Sequence, residues 1–183
     1  MNMRIILAAG SLAALSACGS QTEEAPPATE TPDVAMESPV GMATDAPQAF
    51  VDTMAASDMF EIEAGELAQE MGTSQTVKDF GAMMVRDHTN SSAQLNIAAS
   101  ESQPSITPAA EMPTKHQAKL EALRSAGDGF DSLYAEQQVA AHQEALAALQ
   151  SQAAGGTSQP LRDFAAATAP LVSEHLEMAR MLP

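Results

Sequence analysis

Residues 77–99 constrain the fold more than any other stretch of this chain. At about 100° per residue, the apolar residues of this stretch fall on one side of a helix. Asp87, His88 and Ser91 fall on that same side. A helix that turns an acid and an imidazole toward its own core face needs partners for them, because unpaired buried polar groups destabilise a fold. The stretch therefore predicts several helices packed around a polar centre.

Helix-breaking residues divide the rest of the chain into further helical segments. Stretches rich in Gly and Pro separate segments dominated by Ala, Met, Leu, Glu and Gln, and strand patterns are absent from the sequence. The predicted helices are 47–71, 74–101, 114–126, 129–153 and 158–182. We predict an all-α fold: a ferritin-like four-helix bundle with a long crossover carrying a short extra helix. An up-and-down connection of the long helices is the alternative.

Local signals refine the helix ends. Pro47 is expected near the start of the first helix, and Asp128 followed by Asp131 resembles a capping box before the third long helix. The core stripe of the last helix is predicted to contain Leu161, Phe164, Leu171, Val172, Met178, Ala179 and Leu182 around His175.

The other long helices each offer one polar group to the centre. Glu61, His88 and His142 lie near the midpoints of their helices, so packing brings them to one layer. His175 lies about four residues past the midpoint of the last helix, an offset of roughly 6 Å. It joins the layer only if that helix slides or bends, and Pro170 inside the helix favours a bend.

Histidine and carboxylate side chains on facing helices are ligands of transition metals. The candidate ligands are Glu61, His88, His142 and His175, and the candidate metals are zinc, copper and iron. Asp87 is expected to orient an imidazole from behind.

This set differs from a di-iron carboxylate site. That site needs a glutamate three residues before a histidine on each of two helices. The residues at those positions are Val85, Pro113, Val139 and Val172. The pattern argues against ferroxidase or oxygenase chemistry, and an oxidoreductase would be supported by fold analogy alone.

The same residues also suit a buried hydrogen-bond network that fixes helix register without a ligand. The protein would then be a non-catalytic structural or interaction module. The sequence leaves both interpretations open, although it offers no nucleophile motif and no phosphate loop, which argues against an enzyme.

The N-terminal residues predict export and a lipid anchor. Residues 1–17 combine Arg4, an apolar run and small residues, as signal peptides do. The segment ends in Leu15-Ser16-Ala17-Cys18, which resembles the bacterial lipoprotein box, whose cysteine is diacylated. Gly19 resembles the sorting pattern for the outer membrane, so we expect the chain to face the periplasm there.

The remaining residues divide into a tether and one domain. Residues 18–46 are rich in Pro, Thr, Ala and acids, which predicts a disordered tether. Residues 47–183 have the usual size of a single domain. The chain holds 24 acidic residues against 8 Lys and Arg, which excludes nucleic acid as a partner. We expect a monomer whose partners are the membrane, through the lipid, and an envelope protein.

Five stretches resemble a bacterial family of exported proteins known as a domain of unknown function and often labelled "predicted outer membrane protein". They are AASDMFEIEAGELA (55–68), VKDFGAMMVRDHTNSS (77–92), KHQAKLEAL (115–123), FDSLYAEQQVAAHQEAL (130–146) and LRDFAAATAPLVSEHLEMA (161–179). The resemblance implies a ferritin-like fold. The recurring residues of the family match Glu61, Glu63, Asp87, His88, His116, His142 and His175, which adds Glu63 and His116 to the surroundings of the candidate site.

Overall fold

The computed structural model describes residues 42–183, with side chains from Ala46 onward. Its helices are α1 (Met42–Met71), α2 (Gln75–Glu101), α3 (Thr114–Arg124), a short 3-10 helix (Gly127–Gly129), α4 (Phe130–Gly155) and α5 (Gln159–Ala179). The described range contains no strand, so the predicted all-α class is confirmed. None of the described helices is both long and apolar enough to cross a membrane. The predicted signal, Cys18 and most of the predicted tether lie outside the described residues.

The first helix starts earlier than the sequence suggested. α1 begins at Met42, so the predicted helix start at residue 47 is five residues too late. Pro47 is the sixth residue of α1, just past the amides that lack a helical acceptor, and it removes a single backbone hydrogen bond close to the helix start. The helix therefore includes the last residues of the segment predicted to be a tether.

The helices pack as two hairpins that share a core. α1 packs mainly against α2, and α4 mainly against α5, with further contacts between α2 and α5 and between α1 and α4. The buried apolar residues form two clusters. The first cluster includes Phe50, Val51, Met54, Leu95, Ala99, Leu149, Leu161 and Val172. The second cluster includes Phe60, Ala64, Val77, Phe80, Met84, Leu123, Phe130, Ala141 and Ala179.

The order in which each helix meets these clusters gives its direction. α1 and α5 run from the first cluster to the second, whereas α2 and α4 run from the second to the first. α2 and α4 therefore point the same way, which excludes the up-and-down alternative. The connection between them spans the bundle: Ile106 packs against the first cluster, and Leu120 and Leu123 of α3 belong to the second.

A close backbone contact fixes the register of α1 on α2. A Cβ atom on Gly81 would lie 2.7 Å from both the Gly65 carbonyl oxygen and the Ala68 Cβ, so no larger residue fits there. Because the helices are antiparallel, a step of two turns from this contact places Asp58 of α1 opposite His88 of α2. The close contact between Gly65 and Gly81 thus positions the polar residues of α1 and α2 opposite each other.

One predicted core residue lies at the surface instead. Leu171 of α5 is 39% exposed, while its neighbour Val172 is buried. Adjacent residues on a helix point about 100° apart, and the rotation of α5 in the bundle turns Leu171 outward while Val172 stays in the core.

The predicted capping box of Asp128 and Asp131 is wrong. Gly129 precedes α4, and no described side chain caps that helix. The Asp131 carboxylate instead binds the turn between α1 and α2. Its Oδ1 accepts from the Thr73 amide at 2.9 Å, and its Oδ2 accepts from the Thr73 hydroxyl at 2.6 Å and the Ser74 amide at 2.8 Å. Burial alone would raise the pKa of Asp131, but these hydrogen bonds hold it below its ordinary value.

We expect Asp131→Ala to lower the free energy of unfolding by about 2–3 kcal/mol at pH 7, because three donors lose a charged acceptor. Urea unfolding followed by circular dichroism measures the change. Asp128→Ala, at an exposed neighbouring acid, is the control and should stay within about 0.5 kcal/mol of the wild type. The difference should narrow as the pH falls below the ordinary aspartate pKa of 3.8. Equal losses of stability in Asp131→Ala and Asp128→Ala would contradict the role of Asp131 in holding the turn between α1 and α2.

Candidate metal centre

Three imidazole rings meet between the two apolar clusters. His88 of α2, His142 of α4 and His175 of α5 are 4%, 1% and 1% exposed. Their ring centroids lie 5.7 Å (His88–His142), 5.8 Å (His88–His175) and 5.5 Å (His142–His175) apart. The rings therefore form a nearly equilateral triangle, and His175 reaches the layer despite its offset along the helix.

Hydrogen bonds fix the proton position on two of these rings. Nδ1 of His88 lies 2.8 Å from the Asp58 Oδ1, and Nδ1 of His142 lies 2.9 Å from the Gln138 carbonyl oxygen. A carboxylate and a carbonyl can only accept, so Nδ1 donates in both cases. In the neutral ring the lone pair is then on Nε2, the nitrogen that a metal would bind.

The third ring is held the other way round. Nε2 of His175 lies 3.2 Å from the Asp87 Oδ2, so it donates and leaves the lone pair on Nδ1. Asp87 also accepts two hydrogen bonds from the exposed Arg86, at 2.7 Å and 2.8 Å. Chiefly because of the Arg86 hydrogen bond, the pKa of Asp87 lies below its ordinary value. The carboxylate is thus ionised and able to orient the ring.

The remaining ring nitrogens all lack a partner. His88 Nε2, His142 Nε2 and His175 Nδ1 are buried and have no hydrogen-bond partner among the described residues. One nitrogen from each ring lies within 4.8 Å of one from each of the others. A tetrahedral ion with metal–nitrogen bonds near 2.0 Å holds its ligand atoms about 3.3 Å apart, so each ring would move inward by about 1 Å at most. The triangle can hold a metal ion.

Glu61 lies beside this triangle. It is 1% exposed, and its Oε1 lies 3.8 Å from the His142 Nδ1. Neither carboxyl oxygen has a hydrogen-bond partner in the described part of the chain, although the Gln138 side chain is close enough to influence it. Burial raises the pKa of Glu61 to about 7, against the opposing charge of His88. A buried carboxyl without partners is a further group that a cation would satisfy.

The imidazoles differ in how tightly they bind a proton. Burial, followed by the charge of His88, lowers the pKa of His142 to about 4. Burial, followed by the charges of His142 and His88, lowers that of His175 to about 4 as well. Burial also acts against protonation of His88, but the Asp58 hydrogen bond and the charges of Glu61, Asp58 and Asp87 raise its pKa. At neutral pH the rings of His142 and His175 are therefore neutral, whereas His88 holds its proton more tightly, so a metal ion would compete with a proton there.

A family model described as "Domain of unknown function (DUF4142)" matches residues 32–182, a range that includes every residue of this centre. The chain belongs to the DUF4142 family. This match confirms, at the level of the family, the resemblance found in the five sequence stretches. A search of curated proteins and a search of solved structures each gave no match. The function of this DUF4142 domain is therefore inferred from the centre itself.

Two residues that the resemblance suggested lie apart from the imidazole triangle. Glu63 is exposed, and its carboxylate lies 3.5 Å from Arg124 of α3. A step of two residues turns a helix by about 200°, so Glu61 and Glu63 cannot face the same core. His116 is buried, but its Nδ1 lies 3.1 Å from the Ala56 carbonyl oxygen and its ring packs on Phe60 with centroids 5.1 Å apart. Both residues tie α3 to α1.

Sequence reasoning missed two groups of the DUF4142 centre. Asp58 is 0% exposed, and besides His88 it accepts a hydrogen bond from the Ser92 hydroxyl at 3.2 Å. Its spacing of three residues from Glu61 puts both acids on one helix face, a signal that could have revealed it. The Gln138 carbonyl that orients His142 belongs to the backbone, so no residue type marks it.

Glu61→Gln should stabilise the metal-free protein at high pH. The unfolded carboxyl loses its proton near pH 4.5, whereas the folded one keeps it to about pH 7. Above pH 7 the buried, raised-pKa carboxyl therefore lowers the free energy of unfolding of the wild type by on the order of 3 kcal/mol. An uncharged glutamine avoids this loss. Urea unfolding should show equal free energies of unfolding for the wild type and Glu61→Gln at pH 4, and the full gain in stability of Glu61→Gln at pH 8.

Glu63→Gln, at the exposed glutamate two residues on, is the matched control and should show no such pH dependence. A difference between wild type and Glu61→Gln that is the same at both pH values would contradict the buried, unpaired carboxyl.

Proposed function

We propose that this DUF4142 protein is a lipid-anchored envelope protein that binds one transition-metal ion among α2, α4 and α5. The ligands are His88 Nε2, His142 Nε2 and His175 Nδ1. A single observation carries the proposal: one nitrogen of each of the three buried rings lies within 4.8 Å of the other two, and each ring has one nitrogen held by an acceptor and one without a partner. A hydrogen-bond acceptor at the second ring nitrogen is the usual support of a metal-bound histidine.

The donor set suits a divalent ion of zinc, copper or iron. Imidazole nitrogen is a common ligand of all three, while magnesium and calcium prefer oxygen. The charge of a divalent ion bound to the three rings would be paired by the buried carboxyl groups of Asp58 and Glu61, and it would favour the ionised form of Glu61. This pairing matters because the centre is buried, and a buried charge is stable only when it is paired.

Glu61 is a further candidate ligand, since both of its oxygens lack a partner among the described residues. Its Oε1 lies 3.8 Å from the His142 Nδ1, the nitrogen that faces away from the proposed ion, so its side chain would have to change rotamer to complete the coordination. Asp58 and Asp87 do not bind the ion; they keep the protons of His88 and His175 on the nitrogens that face away from it. Three histidines with one carboxylate differ from a di-iron site, so iron storage is not part of the proposal.

We further propose that the helices form a ferritin-like bundle, an arrangement that would support this assignment. The parallel course of α2 and α4, joined by a long crossover with its own helix, is the connectivity that this class of bundle uses. In such bundles, sites are built from side chains on facing helices at mid-height, as these three imidazoles are. The shared architecture supports a core metal site but assigns no reaction.

The alternative is a structural module of the envelope whose polar centre only holds helices together. The buried hydrogen bonds from His88 to Asp58 and from His175 to Asp87 favour it, since each joins two helices. The alternative leaves the three inward nitrogens and both Glu61 oxygens unexplained, however, and unpaired polar atoms in a core are costly. Metal content separates the two functions.

We expect the full-length chain, extracted in detergent without a histidine tag or chelator, to contain about one metal ion per chain by elemental analysis. After removal of that metal, calorimetric titration with zinc, copper and iron should show one tight site. His142→Gln and His175→Gln should each weaken metal binding by roughly 100-fold or more. Losing a residue that binds the metal directly costs more affinity than losing a residue that only hydrogen-bonds to such a ligand.

His116→Gln is the matched control for these variants. It removes a buried imidazole that is hydrogen-bonded to a carbonyl but lies outside the triangle. It should reduce thermal stability and leave metal affinity unchanged. A wild type without metal and with only weak binding, or equal losses in His116→Gln and His142→Gln, would favour the structural module.

The lipid anchor and the outer-membrane location are supported by the residues around Cys18. In a Gram-negative host, Cys18→Ser should move the protein from the membrane fraction to the soluble fraction, because no thiol is left to carry the lipid. Ser20→Ala, just outside the lipoprotein box, should remain with the membrane. Fractionation followed by immunoblotting measures both, and a Cys18→Ser protein that stays on the membrane would refute the anchor.

A further inference from the structure

A small crevice leads from the surface to the imidazoles between α2 and α5. It is lined by Met54, Asp58, Asp87, His88, Ser91, Thr168, Leu171, Val172 and His175. Among these lining residues, only two are not fully buried: Leu171 is 39% exposed and the Asp87 side chain 12%. Leu171 and Asp87 therefore form its mouth.

The interior of the crevice is narrow. Its volume is about 10 Å³, close to the space that one water molecule needs. Three of its lining residues carry a buried polar atom without a partner in the described chain: His88 Nε2, His175 Nδ1 and Ser91 Oγ. Two of these atoms belong to the proposed metal ligands, so the crevice reaches the centre.

The other sides of the triangle are closed by packed side chains. The Phe80 ring lies edge-on to His142 with centroids 6.3 Å apart, and Phe80 is 5% exposed. Above and below the triangle lie the two apolar clusters. Close packing on these sides makes the passage of a cation slower there than along the crevice.

We propose that this crevice is the route by which the metal ion enters and leaves, with Leu171 limiting its width and Asp87 receiving the cation at its mouth. The inference rests on the proposed metal centre. It also defines what can reach a bound ion: a water molecule or a species of two or three atoms fits, and an organic metabolite does not.

The charge at the mouth is suited to this role. Asp87 is the lining carboxylate nearest to solvent, and its partner Arg86 has a side chain that is 66% exposed. An ion pair exposed to this degree is screened by solvent and weak, so it opens readily. An arriving cation can therefore replace Arg86 at Asp87, and the same carboxylate is hydrogen-bonded to His175 inside.

Stopped-flow absorbance with Co²⁺ on the full chain, stripped of metal, tests the route, because Co²⁺ accepts the ligands of zinc and is coloured. Leu171→Trp should slow both association and dissociation by roughly tenfold or more and leave the equilibrium constant within about twofold, since a narrower passage changes a barrier and not the site. Leu171→Ala should speed both rates. Ile97→Trp, at a 59% exposed position of α2 outside the crevice, is the control and should have no effect.

Arg86→Gln provides a second readout that packing changes would not produce. It frees the Asp87 carboxylate, so association should become several-fold faster at low salt, and the gain should disappear at high ionic strength.

The outcomes separate the route from the centre. Opposite rate changes in Leu171→Trp and Leu171→Ala with an unchanged equilibrium constant support the route. Unchanged rates in both variants, or a changed equilibrium constant that accounts for the rates, overturn it while the metal centre stands. A wild type that gives no absorbance change with Co²⁺, and no metal by elemental analysis, overturns the metal centre and the route together.

Discussion

The buried hydrogen bond between His88 and Asp58 is the interaction on which the centre depends. Asp58 is fully buried, and an unpaired carboxylate there would be strongly destabilising. The bond holds the proton of His88 on Nδ1 and turns Nε2 inward. Burial lowers the pKa of the two neighbouring imidazoles, and the charge that Asp58 favours on His88 lowers it further. The pair thus fixes the orientation of His88 and helps to keep the other two rings neutral.

Two contacts far from the imidazoles hold this pair in place. The close approach of Gly65 and Gly81 sets the register of α1 on α2, and a shift of one turn would part Asp58 from His88. At one end of the bundle, Asp131 of α4 binds the turn between α1 and α2. These contacts constrain the hairpins without touching the centre, so substitutions there can alter the site from a distance.

The sequence predicted the helices and the inward imidazoles because both follow from periodicity along one helix. The midpoint positions of His88 and His142 were sufficient to place them in one layer. Asp58 is one acid among several on α1; its spacing from Glu61 places it on the same helix face, but its role becomes clear only from its contact with His88 of α2. The role of Asp131 depends on contact with a turn nearly sixty residues away in the chain. The exposure of Leu171 depends on how α5 is rotated in the bundle, which apolar spacing defines only to within one residue.

The division of the centre between two hairpins has a consequence for the order of folding. Asp58, Glu61 and His88 belong to the first hairpin, and His142 and His175 to the second. Each hairpin can form from contacts that are local in sequence, but the triangle exists only after both have docked. An ion that binds the docked state alone would hold the two hairpins together. It would add about 2.7 kcal/mol to the stability of the docked state when its free concentration is 100 times the dissociation constant. Metal supply would then govern how long the assembled chain persists, independently of any reaction at the ion.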